Sequence, residues 1–272
     1  MKLGFILDSE IIPPDLVALL NASRTSKSFS IDLVVCYSSD DFSNLNFVSR
    51  AWRNYLTIGI RQSLRRFLFR FVNYMESKLD ASCLREAVPQ SLHVRDSGIS
   101  LLHITPIFSK SKFIVRFGDE ELDLIRNRNL DLLIRGGRHI LRDGILNVCT
   151  YGVVGIHHGD NEKFRGLPSG FWEVYYREPF TGYIFQRLRN ELDDGVVFFK
   201  GQMATRSTSY ENTLALHHQA RQDFVEFIEK VSDSGIFPAP IERKGDLVPL
   251  LTAPTVRQLI RYIVRALFRR FW

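Results

Sequence analysis

The sequence predicts an α/β fold: an open, mostly parallel sheet with a helical insertion and a short helical appendage at the C-terminal end. Three observations predict it. A strand–helix–strand rhythm begins at Lys2, the rhythm breaks between residues 40 and 91 around a segment of helical period, and the last helix carries arginine at every fourth position. With 272 residues the chain can bury a sizeable core, and 45% apolar against 24% charged residues is ordinary for a globular protein.

In chain order, residues 2–7 form an apolar run suited to a buried parallel strand. Pro13, Pro14 and Asp15 then open a helix over 16–22, since proline is tolerated in a first helical turn. Residues 31–37 (IDLVVCY) are a β-branched strand of the kind covered on both faces. Inside the insertion, Ile60, Leu64, Phe67, Leu68, Phe71, Val72 and Met75 recur at helical spacing, with Arg61, Arg65, Arg66 and Arg70 on the other side. That helix either packs on the sheet with a solvated arginine face or docks on anionic lipid or phosphate. Residues 99–106 read as a strand, 119–127 as a helix acidic at its start and basic at its end, and 130–134 as a strand closed by Gly136 and Gly137. Those glycines allow a tight turn and close ligand approach where open α/β sheets bind ligands. A short helix is expected over 139–145 and a strand over 151–156. Two antiparallel strands follow over 181–189 and 196–204, then a helix over 212–231, in which His217 and His218 read as a solvent-facing pair.

The expected organisation is an α/β domain over 1–235, with the insertion at about 40–91, and a proline-rich connector plus basic helix over 236–272. In that last helix Arg257, Arg261, Arg265 and Arg269 form a stripe opposite Ile260, Ile263, Val264, Leu267, Phe271 and Trp272. Such a helix can cover the domain, pair with a second copy or lie on a membrane. The net charge of +6 sits in these two basic segments, which argues against a broad nucleic-acid surface. No apolar run approaches the roughly 20 residues that span a bilayer, and the first apolar run stops at Asp8 as a strand would. A cytoplasmic location is expected, with the inner membrane face as a docking option. Cys36, Cys83 and Cys149 are widely spaced and read as free buried thiols.

The chemistry concentrates between Tyr151 and Gly195. There histidines, Asp160, Asn161, glycines, Arg165 and Trp172 crowd together without helical or strand period, as in a site-forming loop. His157, His158 and Asp160 are too closely spaced for a metal site, because neighbours on a strand point to opposite faces.

The run GIHHGDNEKFRG, from Gly155 to Gly166, resembles the Asn-Ile-His-Pro-Ser-Leu-Leu-Pro-x-Tyr-Arg-Gly signature of the folate-dependent formyltransferases. That family includes methionyl-tRNA, glycinamide ribonucleotide and sugar N-formyltransferases. Thr181-Gly182 and Leu192-Asp193-Asp194-Gly195 match its later motifs, and Gly155 and Asp193 are 38 residues apart, as the family's catalytic Asn and Asp are. The resemblance is closest for formyltransferase-like proteins with the HHGDN motif. It covers about residues 131–201 and implies a Rossmann-like formyltransferase fold and formyl transfer from 10-formyl-tetrahydrofolate to an amine.

By the same resemblance, His157 and Asp193 are the catalytic pair. Gly136, Gly137, Arg138, His139, Ile140 and Leu141, with Leu192 and Asp194, wall the folate pocket. One departure stands out: the family's catalytic Asn is here Gly155, so His158 or Asn161 is expected to replace its amide. Asp160, Arg165 and Trp172 are the expected acceptor contacts, Arg165 for a phosphate and Trp172, with Phe171 and Tyr175, for a sugar ring. The acidic Asp8-Ser9-Glu10 stands where nucleotide-handling members carry glycines, and too few residues follow Val231 for a transfer-RNA barrel. These points favour an amino sugar, free, nucleotide-linked or lipid-linked, as acceptor. The alternatives are another acyl donor or hydrolysis on the same scaffold, or a binding protein without catalysis. A homo-oligomer is a further option.

Overall fold

Apolar runs of strand length pair in parallel in the computed structural model, which describes residues 1–37, 47–79, 88–190, 195–243 and 248–269. They are Lys2–Leu7 (β1), Ser30–Cys36 (β2), Ser100–His103 (β3), Leu132–Arg135 (β4) and Val153–His157 (β5). Phe180–Arg187 (β6) and Val196–Ala204 (β7) join antiparallel at one edge, giving the order β7-β6-β5-β4-β1-β2-β3. The chain thus runs outward from β1 through β2 and β3, then returns to the other side of β1 as β4. The reversal at β1 and β4 makes a switch point, and the segments after both strands, Asp8 and Gly136, meet there.

Alternation along the strands assigns two cores. Leu3, Phe5, Val154 and Phe185 face Leu16 and Leu20 of helix α1 (Pro14–Ser23) and Phe224 and Ile228 of α5 (Ser209–Ser234). Ile6, Leu133 and Val153 point the other way, against Leu122 and Ile125 of α3 (Asp119–Arg126). The ends of α5 follow local rules: Thr208 accepts from Glu211 N through its hydroxyl at the start, and Gly235 takes φ 67° at the end.

The insertion is helical over Phe47–Leu79 (α2), broken at Gly59, whose φ is 77°. It does not bury the face its spacing predicts. Leu68, Phe69 and Val72 turn inward, while Ile60, Leu64, Phe67, Phe71 and Met75 stay exposed. What α2 packs on is chiefly α5, together with the last helix, Val256–Arg269 (α6), and the short helix Phe171–Tyr176 (α4). The connector contributes Leu250–Leu251, which pairs with Arg165–Gly166. Among the described residues no helix is long and apolar enough to cross a membrane.

The helix expected over 139–145 is absent. Ile140–Leu141 is a short strand beside Ile114–Arg116, and a 3-10 turn covers Asp143–Asn147. Asp143 has φ 66°, a left-handed backbone that a continuous right-handed helix cannot contain.

Candidate active site

Strand β5 delivers Gly155, Ile156 and His157 to the carboxyl end of the sheet, and β6 runs antiparallel beside it. Gly155 pairs with Gln186, and His157 pairs with Ile184. Directly paired residues share a face, as do residues two apart on one strand, so Gly155, His157 and Gln186 project to the same side. There they line one cavity with Arg135, Ile140, Leu141, Ile156, Leu188, Arg189 and Gly195.

Gln186 is 7% exposed, and its Oε1 makes no hydrogen bond among the described residues. A buried amide oxygen without a partner costs roughly 1–3 kcal/mol. Its place depends on Gly195, where a Cβ would come within 2.6 Å of Gln186 Oε1. Gly155 is under no such steric demand: a Cβ there would meet only Arg135 Cβ at 3.8 Å and Leu188 Cδ2 at 4.0 Å. Sequence reasoning missed Gln186, because only the strand register reveals that it faces Gly155.

The segment expected to bind folate divides. Ile140 and Leu141 line the cavity. Gly136 and Gly137, however, are small for reasons internal to the fold: a Cβ would strike Leu7 Cδ2 at 2.5 Å and Tyr37 Oη at 2.5 Å, respectively. Arg138 donates from its N and Nε to Asp8 Oδ2, at 3.0 and 3.2 Å, tying the switch point together. His139 is buried between Tyr37 and Phe108, and that burial lowers its pKa, against the opposing pull of Asp8. Leu192, Asp193 and Asp194 lie outside the described residues.

His158 leaves this cavity. The pleat turns it to the opposite face, where its Nε2 is 3.7 Å from Asp15 Oδ2 and its ring stacks on His217. It therefore does not stand beside Gly155 to replace the missing amide. His217 is not solvent-facing either: its Nδ1 is 3.3 Å from Asp15 Oδ2, and Arg221 Nε is 3.3 Å from Asp15 Oδ1.

Burial depresses the His158 pKa to about 3, assisted by His217. Burial alone would raise that of Asp15, but the His217 hydrogen bond and the nearby His158, His217 and Arg221 charges bring it to about 2. The ligand atoms of Asp15, His158 and His217 lie within 4.8 Å of one another, the donor set of a metal site. Yet the imidazoles are stacked, with centroids 3.8 Å apart and planes at 28°. Arg221 Nε, 3.3 Å from Asp15 Oδ1, already supplies the carboxylate with a cation. The geometry is that of an ion-paired cluster.

The remaining candidates divide. Asn161 is 2% exposed, with neither amide atom hydrogen-bonded among the described residues, and it lines an adjoining cavity whose wall shares Arg189 and Gly195 with the first. Asp160 shapes the loop, its Oδ1 accepting from Glu162 N at 2.9 Å. Arg165 donates from Nη1 to Val248 O at 3.1 Å, so it holds the connector. Trp172 is a correction: it is buried with Phe171 and Tyr175 in the cluster formed with α2 and α6, with no ring face left for a sugar.

Glu173, which the sequence did not single out, is 2% exposed, and burial, helped by the Asp160 and Glu178 charges, pushes its pKa to about 7. A lone carboxyl among the aromatic residues of FWEVYY was the available signal.

The sheet order, the switch point and the antiparallel β6–β7 edge define the fold as that of the formyltransferases. Glycinamide ribonucleotide transformylase 1 from Symbiobacterium toebii matches over 86% of this chain and 88% of its own, with a TM-score of 0.54 and 12% identity. Phosphoribosylglycinamide formyltransferase from Bacillus halodurans matches over 87% and 97%, with a TM-score of 0.54 and 11% identity. A sugar N-formyltransferase from a Shewanella species matches over 98% and 88%, with a TM-score of 0.52 and 14% identity. No protein-family model and no curated protein sequence matches the chain.

Proposed function

We propose that the protein is an enzyme that transfers a formyl group from 10-formyl-tetrahydrofolate to the amine of an amino sugar. The observation that carries this reading is the cavity beside β5, where His157, the buried amide of Gln186 and the Ile140–Leu141 edge share one lining. The residues present fit the donor: Ile140, Leu141, Ile156 and Leu188 offer apolar walls for a flat ring, and Gln186, whose Oε1 has no hydrogen-bond partner among the described residues, belongs to the same lining. The donor supplies the formyl group as an activated amide.

In this reading His157 takes the proton shed by the attacking amine and returns it to the departing folate nitrogen as the new N–C bond forms and the old one breaks. The oxygen that gains negative charge in that step needs a donor aimed at it. Gln186 takes the part of the absent Asn: rotation about its terminal bond exchanges Oε1 for an N–H at the same place. Asp193 is assigned to orienting His157, by resemblance alone. The acidic junction after β1 supports a sugar over a nucleotide acceptor. Asp8 Oδ2 is committed to Arg138, and Glu10 lies 3.6 Å from His93 and 3.4 Å from His103. With those carboxylates and no glycine, the turn is not built to cradle a phosphate as a glycine-rich loop is, so the phosphates of a linked amino sugar lie elsewhere in this reading.

The test combines thermal stabilisation by 5-formyl-tetrahydrofolate with mass-spectrometric detection of N-formyl product from a panel of nucleotide-linked and lipid-linked amino sugars. Stabilisation by the folate, and a product lost in His157→Ala, are expected. A folate that leaves the melting temperature unchanged at saturating concentration would overturn the donor. Folate binding without any formylated amino sugar would overturn the acceptor.

A further inference from the structure

We infer that α2 and α6 together form a docking surface for an anionic lipid bilayer. The two helices are held side by side: Leu259 and Tyr262 of α6 pack with Phe69 of α2, and Tyr262 Oη donates to Glu76 Oε1. Their outward faces carry what a buried helix would hide. On α2, Ile60, Leu64, Phe67, Phe71 and Met75 follow one another at steps of three and four, so they form one stripe, and each is 46–66% exposed. On α6, Ile260, Ile263 and Val264 are likewise 39–56% exposed.

Arginines flank both stripes. At 100° per residue, Arg61 falls on one side of the α2 stripe and Arg66 and Arg70 on the other, while Arg257 and Arg261 border that of α6, and all five are exposed. The only acid in residues 60–79 is Glu76, which is turned inward to Tyr262 Oη and Tyr210 N, and α6 has none.

An apolar stripe edged with arginine and free of acid fits a bilayer interface, where the rings enter the acyl boundary and the guanidinium groups reach anionic headgroups. A second copy of this chain is the poorer occupant. A two-fold interface through these stripes would bring arginine against arginine with no carboxylate on the outward faces to offset them. Covering by the chain's own sheet is excluded by the inward face, which is already used.

The experiment is co-sedimentation of the full chain with mixed phosphatidylglycerol–phosphatidylcholine vesicles and with pure phosphatidylcholine vesicles, over a range of salt. Binding to the anionic vesicles is expected, weakening steeply with salt and falling about fivefold for each arginine removed in the series Arg66→Gln, Arg70→Gln, Arg261→Gln. Phe67→Ser with Phe71→Ser should abolish binding while leaving circular dichroism and melting temperature unchanged, because both side chains are already in solvent. No binding to anionic vesicles, or equal binding to both kinds, overturns the proposal. So does a salt-insensitive dimer in light scattering that the Phe67→Ser, Phe71→Ser variant dissolves, which would assign the face to a second copy.

Discussion

His157 and His158 are neighbours in sequence and strangers in the structure. One lines an open cavity with Gln186 and Gly155; the other is stacked against His217 in a closed cluster with Asp15 and Arg221. The pleat separates them, because adjacent residues at a strand end leave by opposite faces. Their difference teaches that the HHGDN run is two half-sites joined at a peptide bond. The His157 side opens on the cavity, whereas the His158 side holds α1 and α5 to the strand.

The most forceful way to break that division is to remove each histidine in turn. His157→Ala should lower kcat by about 100- to 10,000-fold with little change in stability, the range for a positioned proton-transfer group. His158→Ala should do the reverse, lowering stability with a far smaller effect on the rate of the folded fraction. Denaturant titration and steady-state formylation of both variants decide it; equal loss of activity in the two would return the motif to a single site.

The next effect concerns the amide. Gln186→Ala should cost about 100- to 1000-fold in kcat at nearly constant KM, as the loss of one oxyanion donor does. A Gly155→Asn change has room to be tolerated, since nothing lies within 3.8 Å of the added Cβ. In the Gln186→Ala background it should recover activity. Failure of that rescue, with the variant folded, removes Gln186 from the mechanism and leaves Asn161 as the buried amide to test.

The closed side should show itself in acid. The His158 pKa is depressed to about 3, so the stability tied to its neutrality is fully present above the ordinary histidine value of about 6.5 and is lost as pH falls toward 3. Asp15, depressed to about 2, adds a loss in the same direction, beginning near its unfolded value of 3.8 and completed as pH falls through 2. The difference in unfolding free energy between wild type and His158→Gln, measured from pH 7 to pH 4, should shrink as pH falls. A difference independent of pH would show that His158 is not held neutral.

How much of this was legible beforehand follows from the same geometry. The parallel strands and α1 were readable because apolar runs such as FIL and LVVC, punctuated by Pro13 and Pro14, have one physical meaning. The place of His157 at the carboxyl end of β5 was readable as well. The place of Gln186 opposite Gly155 was not, since it depends on a register between strands that no local pattern encodes. Trp172 misled because an aromatic in a polar loop has the same composition whether it stacks on a ligand or meets Tyr175 edge to face. The α2 face misled differently. Its period announced an amphipathic helix, but period alone does not say whether the apolar side meets protein or something else.

The smallest effect lies at Glu173, between the two sides. Its carboxyl is raised to about 7, chiefly by burial and further by Asp160 and Glu178. For a raised pKa the sign is opposite to that of Asp15: the folded state holds its proton longer than the unfolded chain, so the contribution is fully present below about 4.5 and is lost as pH rises through 7. The shift from 4.5 to about 7 corresponds to about 3 kcal/mol at most. Glu173→Gln, which keeps the shape and cannot ionise, should therefore match wild type at pH 4.5 and exceed it by up to that amount at pH 8. Paired denaturation curves at the two pH values measure it. A variant that is less stable at both would mean that the ionised carboxylate has a partner in the loop, and Glu173 would then belong with the His158 network as a structural charge.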